Sequence, residues 1–212
     1  MIVFDVGANN ANETKHFLDN GATVYAFEPN PIMVNDMKTR LGKFSNFNLI
    51  ESAVSDYEGS ATFNLAGPND PNNPLNHSIG YPNYGSSSLL DFQEGLDKTW
   101  TGRRDLATFA KINVNVMRLD SFVKKHNIKQ IDYLHVDTQG QDLSVLKGMG
   151  EYLSIVKKGV VEAPTSKTTR IYVKSHTMVE IVKFLRENNF LIDKIDANDE
   201  NENEVNIYFS KA

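Results

Sequence analysis

The chain has 212 residues, of which 40% are hydrophobic and 23% are charged, and its formal net charge is −5 at pH 7. This length and composition predict one soluble globular domain with a well-buried core, and they exclude a disordered or fibrous chain. The acidic balance argues against nucleic acid as a partner, because a protein that grips a phosphate backbone is expected to be basic. Cysteine is absent, so the chain has neither a disulfide framework nor a thiolate metal site.

The beginning of the chain shows no targeting pattern. Met1 is followed at once by the apolar residues 2–4, without a basic segment, a long apolar core or a small-residue cleavage site, so we expect no signal peptide. No apolar stretch approaches the roughly 20 residues that span a bilayer. We therefore predict a cytoplasmic protein without a membrane span, and we make no prediction of its oligomeric state.

Predicted strands and helices alternate at the start of the chain. Strand-forming runs at 2–6, 23–27 and 47–50 are separated by helical patterns at 12–20 and 31–41. We expect residues 52–54 to prolong the third strand, and residues 56–59 to form a turn before a returning strand at 61–65. This order is typical of a βαβ unit.

Residues 67–111 differ in character from their surroundings, since they are rich in Pro, Gly, Asn and Ser. A loop-rich stretch of this length inside a compact domain is usually a functional lid or partly disordered, and we predict an insertion here that covers the site. Further strands are predicted at 112–117, 131–136, 159–161, 190–195 and 205–209, with helices after 120, after 140 and at 176–188. The acidic link 199–204 is expected to be a solvated turn.

The alternation of strands and helices predicts an α/β fold, in which helices cover both faces of a mostly parallel sheet. Such sheets bind their ligands where the strands end, at the carboxyl edge. The residues that follow the predicted strands are therefore the candidates for a functional site.

The turn after the first strand suits the amino-acid end of a ligand. Gly7 permits a tight turn and a close approach of the backbone, while the following helix offers free N–H groups to a carboxylate. Asp5 is able to accept hydrogen bonds from an ammonium group. In the alternative interpretation, the glycine belongs to an ordinary strand-turn-helix junction and the carboxylate only caps the helix.

A second acidic residue indicates a ribose. Glu28 ends the next strand, 21 positions after Gly7, which is the spacing at which an acidic residue meets ribose hydroxyls in nucleotide-binding βαβ units. A dinucleotide would need a turn with three glycines, and this turn has only Gly7, so nicotinamide cofactors are disfavoured. S-adenosylmethionine, which has an amino-acid end, an adenosine end and no phosphate, fits better.

Six motifs in this order resemble those of the FkbM family of methyltransferases, from residue 2 to about residue 162. One such motif is weak evidence, whereas six in register are specific. The motifs are VFDVGAN at 3–9, FEPNP at 27–31, AVSD at 53–56 with Gly59, SSL at 87–89, RLDSF at 118–122, and DTQG at 137–140 with LKG at 146–148.

The resemblance implies a Rossmann-like class I methyltransferase fold, with a seven-stranded sheet and an antiparallel last strand. It also implies S-adenosylmethionine as the cofactor, S-adenosylhomocysteine as its product, and O-methylation of a hydroxyl on a sugar, a glycan or another small metabolite. Carried over by position, the cofactor-binding residues are Asp5, Gly7, Ala8 and Asn9 for the methionine end, Glu28 and Pro29 for the ribose, Ser52 and Ala53 for the adenine, and Asp137 beside the reactive methyl group.

A hydroxyl acceptor needs a base that removes its proton. Asp137 is the first candidate for positioning the acceptor or removing the proton, and His135, two residues earlier on the same face of the strand, is either a second base or a buried structural residue. The candidates for binding the acceptor are Glu162, Ser87, Ser88 and Tyr84. Carboxylates and side-chain hydroxyls bond to the hydroxyls of sugars, and aromatic rings stack on sugar rings. We assign no metal, since two carboxylates on neighbouring strands are not enough for one.

Four positions depart from the family pattern. The family usually has glycine at Ala11, lysine at His135, an acidic residue at Gln139 and glutamate at Asp142. These departures leave open a module that binds the cofactor without catalysis. A nucleotide-dependent oxidoreductase is a further alternative, although the missing glycines oppose it.

Overall fold

A computed structural model describes residues 1–67, 84–103 and 105–212 of the chain. The strands are β1 (Ile2–Val6), β2 (Thr23–Phe27), β3 (Phe47–Ile50), β4 (Ala53–Val54), β5 (Gly59–Ala66), β6 (Thr108–Met117), β7 (Tyr133–Val136), β8 (Lys158–Pro164), β9 (Phe190–Ala197) and β10 (Glu204–Lys211). The α-helices are α1 (Asn12–Asp19), α2 (Pro31–Leu41), α3 (Leu96–Thr99), α4 (Leu119–His126), α5 (Asp142–Gly148) and α6 (Met178–Glu187), and 3₁₀ helices span Tyr84–Ser86 and Gly150–Ile155.

The main sheet has seven strands in the order β3-β2-β1-β7-β8-β10-β9. The pairs from β3 to β8 are parallel, whereas β10 runs antiparallel to both β8 and β9. The predicted α/β architecture with an antiparallel last strand is therefore confirmed. Because β1 lies between β2 and β7, the turns that follow these three strands meet at the same edge of the sheet.

Helices cover both faces of this sheet, and the alternation of side chains along β1 shows why. Val3 packs in one apolar cluster with residues of α1 and α2. Phe4 and Val6, which point to the opposite face, pack in a larger cluster with residues of α4, α5 and α6. Burial of these two apolar faces is the main force that holds the layers together.

Local sequence signals determine where the helices begin. Pro31 occupies the first turn of α2, and the side chain of Asn30 accepts a hydrogen bond from the N–H of Ile32 at 3.0 Å. Thr177 and Glu180 form a capping box at the start of α6. This cap starts α6 at Met178, two residues after the predicted start.

A second, three-stranded sheet corrects the prediction for residues 52–54. Ala53–Val54 does not prolong the third strand but forms β4, which pairs with β6 in the order β4-β6-β5. The chain bends at Ser52, whose N–H donates to the carbonyl of Ile50 and whose hydroxyl donates to the carbonyl of Asn115, both at 3.0 Å. These two bonds turn the backbone away from the main sheet.

The described part of the 67–111 region is anchored to the core. Trp100 is buried with Leu106, Ile171 and Tyr172, and its indole N–H donates to the carbonyl of Thr169 at 3.1 Å. The sequence leaves two interpretations of the aromatic residues in this region, contact with the acceptor or attachment of the loop to the core, and Trp100 fits the second. The sequence also offers His77 as a reserve candidate for the base and Tyr81 as an aromatic residue for acceptor specificity, and both lie outside the described residues.

The predicted solvated turn at 199–204 needs a correction at its end. Glu204 is the first residue of β10 and is partly buried, since it pairs with Pro164 of β8 at the edge of the main sheet. In the described ranges, no helix combines the length and the apolar character that crossing a membrane requires.

Candidate functional site

A pocket of about 490 Å³ lies at the carboxyl ends of β1, β2 and β7. The rest of its lining comes mainly from β4 and from the 84–89 segment. The sequence-predicted residues that line it are Gly7, Asn9, Glu28, Pro29, Ser52, Ala53, Tyr84, Ser87 and Asp137. Asp5, Ala8, Ser88, His135 and Glu162 are not part of this lining.

The turn after β1 requires glycine at position 7. Gly7 has a φ of +87°, and a Cβ atom built on it would lie 1.8 Å from the carbonyl oxygen of Asp137. The N–H groups of Gly7 and Ala8 both donate to the carbonyl of Phe27, at 3.0 and 3.1 Å. The turn is thus pressed between the ends of β2 and β7, where no side chain fits.

Glu28 joins two turns and faces the pocket. Its carboxylate accepts hydrogen bonds from the backbone N–H groups of Asn9 at 2.8 Å and Asn30 at 2.7 Å. Burial outweighs these bonds and raises the pKa of Glu28 to about 7. Each carboxylate oxygen keeps a lone pair for a ligand hydroxyl.

Asp5 lies beneath the pocket rather than in it. Its side chain is 1% exposed and accepts a hydrogen bond from the hydroxyl of Thr14, and its other oxygen lies 2.8 Å from Nδ1 of His135. These bonds indicate another role for Asp5, in which it fixes α1 and β7 relative to β1 instead of contacting a ligand ammonium group as the sequence predicts. The sequence did not indicate Thr14 as a partner.

His135 is tied to Asp5 and carries a proton. Burial lowers the pKa of the imidazole, but the hydrogen bond and the negative charge of Asp5 outweigh burial and raise the pKa of His135 to about 9. A histidine that holds its proton at neutral pH is poorly suited to act as a base. The bond to Asp5 therefore fits the alternative prediction, in which His135 is a buried structural residue, better than the prediction of a second base.

Gln139 holds the carboxylates at the end of β7 together. Its amide nitrogen donates to Asp137 at 2.6 Å and to Glu162 at 3.1 Å. Its amide oxygen lies 2.7 Å from the hydroxyl of Tyr172. Gln139 belongs to the DTQG motif, so the sequence contained a signal that could have identified it as a site residue. Nothing in the sequence around Tyr172 indicated the site.

Carboxyl groups accumulate on this side of the site. Burial and the charge of Asp137 raise the pKa of Glu162 well above its usual range, and the same two causes raise the pKa of Asp142 to about 7 and that of Glu204 to about 8. Asp142, Glu162 and Glu204 line a smaller cavity of about 210 Å³ beside the pocket, together with Tyr172. These carboxyl groups therefore hold protons at a pH where an exposed carboxyl has lost its own.

The serines of the 84–89 segment fasten it to the site. The hydroxyl of Ser88 donates to the carbonyl of Gln139 at 2.6 Å, and the hydroxyl of Ser87 accepts from the N–H of Ala66 at 3.0 Å. The hydroxyl of Tyr172 also lies 2.7 Å from the carbonyl of Ser86. Ser88 thus anchors the segment, and Ser87 and Tyr84 face the pocket.

The charges of the pocket limit its ligand. Glu28 and Asp137 line it, and the described lining residues include no Lys, Arg or His. Two carboxylates without a compensating cation repel a pyrophosphate and favour a ligand that is neutral or positively charged. Across the described ranges, no group of three or more His, Asp or Glu side chains has the arrangement of a metal site.

Solved structures with a similar fold include several methyltransferases. A methyltransferase FkbM from Methylobacillus flagellatus KT aligns with a TM-score of 0.58 at 12% identity, over 98% of this chain and 42% of that chain. TrmK of M. capricolum aligns with a TM-score of 0.52 at 14% identity, over 100% and 62%. Aeropyrum pernix fibrillarin aligns with a TM-score of 0.53 at 12% identity, over 98% and 65%.

At these identities the likeness shows the fold alone, and it confirms the predicted class I methyltransferase fold. The chain spans less than two thirds of the length of each of these three proteins. No curated protein matches the sequence. The model of the family described as the methyltransferase FkbM domain matches residues 5–192, which is most of the sequence, and the chain therefore belongs to that family.

Proposed function

We propose that the chain is an S-adenosylmethionine-dependent methyltransferase that transfers the methyl group to a hydroxyl of a sugar, a glycan or another small metabolite. The observation that carries the proposal is the pocket at the carboxyl edge of the sheet, which is lined by two carboxylates and has no cationic side chain in the described lining. Family membership supports the same activity.

The charge of the cofactor suits this pocket. S-adenosylmethionine carries a sulfonium and an ammonium group against one carboxylate, so its net charge is positive, and Glu28 and Asp137 attract it. Gly7 allows the ligand to approach the backbone, Glu28 receives the ribose hydroxyls, and Ser52 and Ala53 lie where the adenine would bind. Aeropyrum pernix fibrillarin, of similar fold, contains natively bound S-adenosylmethionine.

The bound cofactor supplies an activated methyl group on a good leaving group, so the protein mainly has to position the acceptor. Asp137 is the group that orients the acceptor hydroxyl and takes its proton. Gln139 donates to one oxygen of Asp137, at 2.6 Å, and so orients this carboxylate.

The acceptor enters between Asp137 and the 84–89 segment, and Ser87 and Glu162 contribute to its binding. The described linings of the pocket and of the smaller cavity contain no Lys, Arg or His to pair with a phosphate, so phosphorylated acceptors are disfavoured and neutral or cationic ones are favoured. A nucleic-acid acceptor is disfavoured for the same reason. We place the reaction in a single domain and in the cytoplasm.

Cofactor binding is tested by thermal unfolding. S-adenosylhomocysteine at about 100 times its Kd should stabilise the folded chain by roughly 2.7 kcal/mol, a Tm increase of about 5–10 °C for a chain of this size, whereas NAD should give no increase. Glu28→Gln should remove most of the increase. Glu51→Gln is the matched control, because Glu51 is exposed and lies outside the pocket.

No Tm increase with S-adenosylhomocysteine, or an increase with NAD instead, would refute the cofactor assignment. The acceptor is tested with a methyl-labelled cofactor and a panel of hydroxylated acceptors, with the product mapped by mass spectrometry. Asp137→Asn should lose methyl transfer but keep the Tm increase. Transfer to nitrogen acceptors alone would contradict the O-methyl proposal.

A further inference from the structure

Tyr84 carries an enclosed hydroxyl that has no hydrogen-bond partner among the described residues. The residue is 4% exposed, it is one of the residues that line the pocket, and no described residue bonds its hydroxyl oxygen. Leaving a buried hydroxyl unpaired costs roughly 1–3 kcal/mol, so an unpaired hydroxyl at a pocket indicates a group that a ligand completes. Burial also raises the pKa of this hydroxyl, which keeps it a donor.

The ring of Tyr84 packs in the same apolar cluster as the turn after β1. The ring belongs to the apolar cluster that contains Ala8 and Ala11 of the turn after β1, and it lies 6.0 Å from the ring of Phe109. The carbonyl of Tyr84 accepts a hydrogen bond from the N–H of Ser87 at 2.9 Å. Tyr84 thus shares an apolar cluster with this turn, and Gly7 and Asn9 of the turn line the same pocket as Tyr84.

The backbone N–H groups of this turn that line the pocket are already in use. The N–H groups of Gly7 and Ala8 donate to the carbonyl of Phe27, and that of Asn9 donates to Glu28. The described lining offers no Lys, Arg or His to an anionic group. A carboxylate at this end of the pocket therefore needs a neutral side-chain donor.

We propose that the hydroxyl of Tyr84 binds the carboxylate of the amino-acid end of the cofactor. This assignment rests on the proposed function, and it changes the role of Tyr84 from acceptor binding, as predicted from sequence, to cofactor binding. The 84–89 segment then recognises the cofactor directly as well as shaping the acceptor entrance. A hydrogen bond to a charged group is worth more than a neutral one, so its loss should be measurable.

The test compares two ligands that differ only in the carboxylate. Calorimetric titration measures the Kd of S-adenosylhomocysteine and of its decarboxylated form for the wild-type chain and for Tyr84→Phe. The substitution should raise the Kd of S-adenosylhomocysteine about ten-fold or more and leave the Kd of the decarboxylated form within about two-fold. Tyr133→Phe is the control, because Tyr133 packs against the same apolar cluster but does not line the pocket.

Two results would overturn the assignment while leaving the proposed function in place. Equal loss of affinity for both ligands would show that Tyr84 acts through packing, and unchanged affinity for S-adenosylhomocysteine would show that its hydroxyl does not contact the cofactor. If the wild-type chain binds neither ligand, the proposed function itself fails and this inference fails with it. Without ligand, Tyr84→Phe should be at least as stable as the wild type, because the variant removes a hydroxyl that no described residue bonds.

Discussion

Replacing Gly7 by alanine tests the close contact between the turn after β1 and the end of β7. The new Cβ atom would lie 1.8 Å from the carbonyl oxygen of Asp137, far inside any normal contact, and the residue would keep a φ of +87°. The backbone strain alone costs roughly 1–2 kcal/mol. Separating the two segments also weakens the hydrogen bond from Gly7 to Phe27 and the one from Asp137 to Val6, each worth about 1 kcal/mol.

The total loss is therefore roughly 3–4 kcal/mol, which lowers the Tm of a chain of this size by about 6–16 °C. Gly21→Ala is the matched control, because Gly21 has a φ of +76° but no atom lies within 4 Å of the position that its Cβ would take, so it reports the backbone strain alone. Differential scanning calorimetry of both variants gives the comparison. If Gly7→Ala costs no more than Gly21→Ala, the turn and the carbonyl of Asp137 are not in close contact.

Two further predictions concern the buried carboxyl groups and the Tyr172 hydroxyl. Raised pKa values, about 7 for Glu28, 8 for Glu204 and 9 for His135, mean that the folded chain keeps protons that the unfolded chain has released, so stability should fall as the pH rises from about 5 to 9. Glu28 alone contributes roughly 3 kcal/mol to this loss of stability, so Glu28→Gln should make the decrease of Tm with pH shallower. A Tm that is constant or rising over this pH range would contradict the burial of these groups. Tyr172→Phe leaves the oxygen of Gln139 unpaired and should lower turnover while the Kd of S-adenosylhomocysteine stays within about two-fold. Tyr57→Phe, at an exposed tyrosine, should change neither quantity, and a Tyr172→Phe enzyme with normal turnover would exclude a positioning role.

The elements, and the main positions that we propose to hold the cofactor, follow from local sequence signals. Pro31 begins a helix because its φ is already helical, and Gly7 marks a turn because only glycine tolerates its conformation and its neighbours. Glu28 follows from its spacing after Gly7. Each of these signals depends on residues that are close in the chain, so one sequence is enough to find them.

The strand predicted at 52–54 shows where such local signals fail. Ala53 and Val54 have the composition of a strand, and the sequence does not distinguish the main sheet from a second one. The difference is made by the hydroxyl of Ser52, which bonds to Asn115, 63 residues away in the chain. A partner at that distance leaves no trace in the pattern around Ser52.

The α/β class, the family and the turns proposed to hold the cofactor follow from the amino-acid sequence, because periodicity, glycine and strand-end carboxylates act locally. The environment of each group follows only from the packed fold. Packing buried Asp5 against His135, 130 residues away, and brought Tyr172 within 2.7 Å of Gln139. A pKa or a free hydroxyl depends on what surrounds a side chain, and those surroundings exist only after distant segments have packed together.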